Sequence, residues 1–287
     1  MPAEGRQLEK LRHLARHALE SGAVSLVIGF AEGTVPGRAA PLFCTTPQDA
    51  DRLVFNGFCT VNLANYLTRP EVRSHQTVAL VARHATAKAV VGLVQESQVD
   101  PARVRLIAIH CPELDGRHEE VAWTVADGLQ TLDEFLPTAA HLRETELSTD
   151  RFAAVAQVEP LPSPDRWDHF AREFDKCIKC YACRNVCPLC YCERCIADKN
   201  QPQWIDTSST PRGNFAWNLM RAFHLAGRCI DCGACERACP MDLPLMELNR
   251  KMKKVVAERF GYVAGYDPKA DLPLVTFKKD DPEEFIK

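Results

Sequence analysis

The residues best equipped for chemistry in this chain are its cysteines. Eleven of the fourteen fall between Cys177 and Cys239. The stretch opens C-I-K-C-Y-A-C-R-N-V-C-P and later repeats as C-I-D-C-G-A-C-E-R-A-C-P. Each copy reads C-x2-C-x2-C-x3-C-P, the spacing of a 4Fe–4S ligand run. Three thiolates at i, i+3 and i+6 on one loop can take three corners of a cube, but the trailing cysteine lies too far along to join them. In two-cluster proteins it ligates the other cluster. The expected sets are therefore crossed: Cys177, Cys180 and Cys183 with Cys239, and Cys229, Cys232 and Cys235 with Cys187. Pro188 and Pro240 then turn the chain away.

Rival readings are weaker. A disulfide framework needs an oxidising compartment, and the opening M-P-A-E-G-R-Q-L-E-K lacks the apolar core of a signal peptide. Zinc needs four ligands per site and not two matched triplets, each with a trailing Cys-Pro. Haem attachment needs a histidine after C-x2-C. Between the two runs stand Cys190, Cys192 and Cys195. They could bind zinc or a third cluster with a fourth ligand that the local sequence does not supply, include an alternative ligand, or only wrap the first cluster.

The elements that position these cysteines are helices. Pro164 opens one that carries Trp167, Phe170 and Phe174 toward Cys177, and these aromatics are expected to shield a cluster. Thr210-Pro211 opens another, with an apolar stripe of Phe215, Leu219, Phe223 and Ala226. A last helix follows Asp242 and Pro244, with Leu245, Leu248, Met252 and Val255 inward. Its Arg250, Lys251, Lys253 and Lys254 form a basic patch, read as a solvated face before a dock for an acidic partner. From Gly265 the tail is polar and should lie along a surface.

The first half reads as α/β with a partly parallel sheet. Leu8, Leu11, Ala15 and Leu19 share one face of a helix over 6–20. Residues 23–30 and 41–44 are expected strands, and 47–67 a broken helix. Residues 77–84, 85–99 and 103–110 form a strand–helix–strand unit with a right-handed crossover. Ligands of open parallel sheets sit beyond the strands' carboxyl ends. That nominates Arg83, His84, Thr86 and Cys111, with Ala85, His110 and Pro112 beside them, as cofactor-binding candidates. The alternative is that His84 and His110 cap strand ends, and that Cys44, Cys59 and Cys111 are small buried residues. Helical spacing is read over 118–136, and the proline-rich stretch 158–163 as a linker. The expected division is an α/β domain over 1–160, a mostly helical two-cluster domain over 161–265 and a tail over 266–287.

A net charge of −3 and a pI near 6.3 argue against nucleic-acid binding. No apolar run reaches the roughly 20 residues of a membrane span. A cytoplasmic protein of anaerobic metabolism is expected, reaching a membrane only through partners.

The stretch R-W-D-H-F-A-R-E-F-D-K-C-I-K-C-Y-A-C-R-N-V-C-P-L-C-Y-C-E-R-C resembles the iron–sulfur beta subunits of bacterial formate dehydrogenase and hydrogenase complexes. The later F-G-Y-V-A-G-Y-D-P looks like the same group. The pattern V-A-L-V-A-R-H-A-T-A-K-A-V-V-G-L-V-Q-E-S-Q-V, then R-L-I-A-I-H-C, is similar to the beta subunit of deazaflavin-coenzyme-reducing hydrogenases. The resemblance implies an electron-transfer module with two 4Fe–4S clusters, working with a catalytic subunit and further electron-transfer subunits. In such relatives an FAD in the first domain can exchange single electrons for pairs. This chain departs from them at His84-Ala85-Thr86, where relatives usually carry Cys-Asp, and lacks their extra cysteine-rich turn. Two other functions follow as alternatives: a flavin-containing catalytic subunit serving a nicotinamide, deazaflavin or quinone-linked carrier, and a structural adaptor that docks partners.

Overall fold

The computed structural model describes residues 3–275, which form two compact units dividing between Ala140 and His141. The first begins with α1 (Ala3–Glu20), β1 (Leu26–Glu32) and β2 (Ala39–Cys44). Next come α2 (Pro70–Arg73), β3 (Val78–Ala82), α3 (His84–Gln95), β4 (Val104–His110), β5 (Thr124–Gln130) and α4 (Leu132–Ala139). The sheet order is β2-β1-β3-β4-β5. β1, β3 and β4 run parallel, and β2 and β5 are antiparallel edges. The all-apolar β3, V-A-L-V-A, is buried along its whole length, as a central parallel strand must be. On α1, Leu11 and Ala15 are fully buried.

Two local expectations fail here. Residues 47–67 hold only 3-10 turns at Pro47–Arg52 and Leu63–Tyr66. The helical reading of 118–136 is overturned by β5, and the helix starts only at Leu132. β5 lacks a two-residue alternation because Val125 is its one buried residue. It is held by its backbone: Val125 donates N–H to Gln7 Oε1 (2.9 Å), and its carbonyl accepts from Lys10 Nζ (2.8 Å).

The second unit is helical: α5 (Leu142–Thr145), α6 (Ala153–Val158), α7 (Ser163–Asp175), α8 (Ala182–Asn185), α9 (Pro211–His224), α10 (Ala234–Arg237) and α11 (Leu245–Phe260). The stretch expected as a linker lies inside this unit. Glu159 accepts from Lys251 and from Lys254 (2.6 Å), and Glu146 from Lys253 (2.7 Å), so residues 146–159 are tied to α11. The basic patch is thus spent within the unit, Arg250 pairing with Asp231 (2.9 Å).

Two helix faces also differ from expectation. The buried face of α9 carries Asn214, Trp217, Asn218 and Arg221, while Phe223 is half exposed. On α11 it carries Leu245, Met246, Asn249, Lys253 and Val256. Both faces turn toward cysteine loops rich in carbonyls and thiols, and such an interior needs donors. The described tail lies along its own unit, where Tyr266 donates to Glu146 Oε1 (2.8 Å) and Leu272 is buried. The rest of the expected tail, 276–287, lies outside the described residues. Among the described residues no helix is long and apolar enough to cross a membrane.

Candidate iron–sulfur centre

The two cysteine runs adopt one backbone plan. Lys179 and Tyr181 in the first copy have φ of 52° and 58°, and Asp231 and Gly233 in the second have 58° and 67°. These left-handed residues curl each loop so that backbone N–H groups point inward. Lys179 N donates to Cys177 Sγ (3.4 Å), and the Asp231 backbone likewise donates to the Cys229 thiol. A four-residue helix follows in each copy, α8 with Cys183 and α10 with Cys235.

The copies meet in one core. Cys183 and Cys235 are buried with Phe174, Ala197, Ile205, Trp217, Leu243, Leu245 and Met246. Cys187, from the first copy, lines a small cavity with Cys229, Cys232 and Cys235 of the second. In turn, the Cys183 thiol feels the charges of Cys235 from the second copy, Cys177 from its own and Cys239 from the second. Cys180 is exposed at the edge. Burial pushes the Cys183 and Cys235 thiols up to about 11, with Arg221 opposing it in both cases. As free thiols they would keep their protons, so thiolate at neutral pH calls for a metal.

Helix α9 separates the runs in sequence and holds both in space. Asn214 Nδ2 donates to the Cys177 carbonyl (2.7 Å), and Arg221 Nη2 to the Cys183 carbonyl (3.0 Å). The Arg221 side chain also donates to the Cys235 thiol, which receives Asn249 Nδ2 at 3.8 Å as well. Arg221 is only 5 % exposed, and among the described residues no carboxylate pairs with it. Burial works against its charge, but Cys235, Cys187, Cys190 and Cys183 outweigh that and hold its pKa well above the ordinary value. The residues therefore fit a buried anionic group, as iron–sulfur clusters ligated by thiolates are.

Cys190, Cys192 and Cys195 line a separate cavity of about 60 Å³ with Arg184, Arg221, Arg228 and His224. His224, at the end of α9, is a donor that the local sequence could not offer. Among the described residues no three His, Cys, Asp or Glu side chains gather as tightly as a single metal ion requires. A cubane spreads its ligands over its corners and needs no such convergence.

Two residues that sequence reasoning missed organise the surroundings. One is Arg221. The other is Asp231, 1 % exposed, which accepts from Arg151 (2.7 Å), Arg250 (2.9 Å) and Lys253 (3.3 Å). Burial would raise its carboxyl, and Lys253, Arg250 and Arg151 outweigh that to hold it below the ordinary carboxylate value. The sequence signal for Arg221 was its place beside Asn214, Trp217 and Asn218 at helical spacing. Of the expected aromatic shield, Phe174 is in the core and Phe170 packs against it. Trp167 is 59 % exposed and lines a surface groove with Phe215 instead.

In the first unit, Arg83, His84, Thr86 and Cys111 share the carboxyl ends of β3 and β4. Arg83 caps α3 and donates Nη2 to the Thr60 carbonyl (3.0 Å). Thr86 is buried, and Cys111 is partly exposed. Burial raises the Cys111 thiol while Arg83 opposes it, and the buried Cys59 feels both.

A family model described as a 4Fe-4S dicluster domain matches residues 176–244. The chain is similar to the F420-dependent formate dehydrogenase subunit beta of Methanocaldococcus jannaschii. They are 36 % identical over 109 residues, which is 38 % of this chain and 27 % of the relative. The F420-dependent formate dehydrogenase 1 subunit beta of Methanococcus maripaludis is 36 % identical over 112 residues, 39 % of this chain and 27 % of the relative. These matches support an iron–sulfur electron-transfer role. The lactate utilization protein B of Bacillus cereus strain AH820 is more distant, 28 % identical over 136 residues, covering 46 % of this chain and 27 % of that protein. The alignments span about a quarter of each curated relative.

Proposed function

We propose that this chain is the electron-transfer subunit of a cytoplasmic, multi-subunit oxidoreductase of the formate dehydrogenase or hydrogenase type, carrying two 4Fe–4S clusters. The observation that carries the reading is the meeting of Cys187 with Cys229, Cys232 and Cys235 around one cavity, because the spacing of the runs demands that exchange. One cluster would be held by that set, the other by Cys177, Cys180, Cys183 and Cys239. Bound clusters of this kind accept and release single electrons. The chain's own work is to hold the two sets in one core, keep water away through Phe174 and Trp217, and supply donors to the sulfurs. A catalytic partner would oxidise formate or hydrogen, and further subunits would take the electrons onward.

The test is iron, sulfide and flavin counted in protein purified without oxygen, with electron paramagnetic resonance of the reduced form. About eight irons per chain and two interacting signals are expected for two four-iron clusters. About four irons with one signal would sink the reading.

Two finer assignments belong with it. The gathering of Arg83, Cys59 and Cys111 beyond the carboxyl ends of β3 and β4 favours a flavin there, held by Arg83, His84, Thr86 and Cys111. About one flavin per chain would make this unit a redox site; none would refute it. The donor set of Cys190, Cys192, Cys195 and His224 is proposed to hold a further cluster, read as iron beyond the eight irons, while a lone zinc ion finds no three donors close enough among the described residues.

A further inference from the structure

We propose that Arg221 holds the reduction potentials of both clusters up, and that of the cluster on Cys229, Cys232, Cys235 and Cys187 the more strongly. The inference rests on the two-cluster reading above. Its guanidinium donates to the carbonyl of Cys183 in one run and to the sulfur of Cys235 in the other. It lines the Cys187, Cys229, Cys232 and Cys235 cavity as well as the Cys190, Cys192 and Cys195 cavity. Its Nε is buried and, among the described residues, has no hydrogen-bond partner.

A buried guanidinium without a carboxylate is costly unless another anion answers it. Here the anions at hand are cysteine sulfurs. Reduction adds one electron to a cluster and breaks no bond, so the change the protein feels is one more negative charge. A fixed cation in a poorly polarisable core stabilises that charge far better than one in water. Hydrogen bonds to the sulfurs act in the same direction. Arg221 reaches a ligand sulfur in one run but only a backbone carbonyl in the other. The two clusters must therefore respond unequally to its loss.

The experiment is a redox titration of the full chain, followed by paramagnetic resonance, with iron counted in every sample. The variants are Arg221→Gln and Arg221→Lys, and Cys180→Ser and Cys232→Ser assign the signals. With full iron, Arg221→Gln is expected to lower both midpoints. The Cys232 signal should fall by at least tenfold in reduced-to-oxidised ratio at fixed potential, about 59 mV for a one-electron couple. Arg221→Lys, which keeps the charge and loses the fork, should shift the same signal less. Unchanged midpoints, or a larger shift in the Cys180 signal, would overturn the proposal. Iron lost from both variants would do the same, assigning Arg221 to cluster assembly. If Arg221→Gln alone loses iron, the Arg221→Lys midpoints decide by the same signs. Wild-type protein with a single cluster would refute the underlying reading instead.

Discussion

Arg151 donates its Nε to Asp231 Oδ2 at 2.7 Å, joining the segment before α6 to the heart of the second cysteine run. Asp231 also receives Arg250 and Lys253, so three cations converge on one carboxylate with no exposed side-chain surface. Replacing it with a neutral amide removes the one charge that all three cations share, although Lys253 keeps Glu146. Asp231→Asn is expected to cost about 3–5 kcal/mol, the range for breaking a buried pair from one side. Denaturant unfolding under anaerobic conditions would measure it, and a loss under about 1 kcal/mol would show the cage contributes little.

The crossed ligand sets give a sharper prediction. Cys232→Ser and Cys187→Ser should remove the same paramagnetic signal, although they lie in different runs. Cys180→Ser and Cys239→Ser should remove the other. Each change is expected to take roughly half of the iron with it. If Cys187→Ser instead behaves like Cys180→Ser, each run binds its own cluster and the crossing is wrong.

How much of this was legible in the sequence depended on what each face packs against. The cysteine runs were plain because metal ligation fixes spacing. The central strands were plain because burial on both faces demands an unbroken apolar run, as in β3. The inward faces of α9 and α11 were read only in part, Leu245 being buried and Phe215 and Leu248 packing on the core as expected, and their polar members were missed for a related reason. Apolar periodicity points to Phe215, Leu219 and Phe223, whereas the interior it was meant to find is lined with thiols and carbonyls. Asn214, Arg221 and Asn249 turn inward to serve those groups, Lys253 turns inward to carboxylates, and a rule that seeks apolar stripes passes over them. β5 escaped because side-chain bonds from α1 hold its edge, which its own alternation does not record.

The thiols of the first unit predict an alkaline weakness. Burial pushes both Cys44 and Cys59 up from 9.0 to about 12. A folded pKa above the unfolded one means their contribution is complete below pH 9 and is lost as pH rises toward 12. Between pH 8 and pH 10 each thiol should cost roughly 1.4 kcal/mol for the one unit above its unfolded value. A Cys44→Ala, Cys59→Ala variant should lose correspondingly less over that interval, with iron content unchanged. Equal losses in both proteins would show that these thiols do not titrate on unfolding. Iron lost from the variant would mark one of them as a ligand.

Tyr181 occupies, in the first run, the left-handed position that Gly233 fills in the second, with φ of 58° against 67°. For a residue with a Cβ that conformation costs about 1–2 kcal/mol. The ring offsets this by packing edge-on against Trp217, with centroids 5.0 Å apart. The two effects separate by substitution. Tyr181→Ala loses the ring and keeps the strain, whereas Tyr181→Gly loses the ring and relieves it. The glycine variant should therefore be the more stable of the two by about 1 kcal/mol, although both fall below the parent. The comparison is a denaturant midpoint for each protein with its iron content matched. An alanine variant as stable as the glycine one would mean that the loop relaxes out of the left-handed region once the ring is gone. The tyrosine would then be holding the first run in the shape that glycine gives the second.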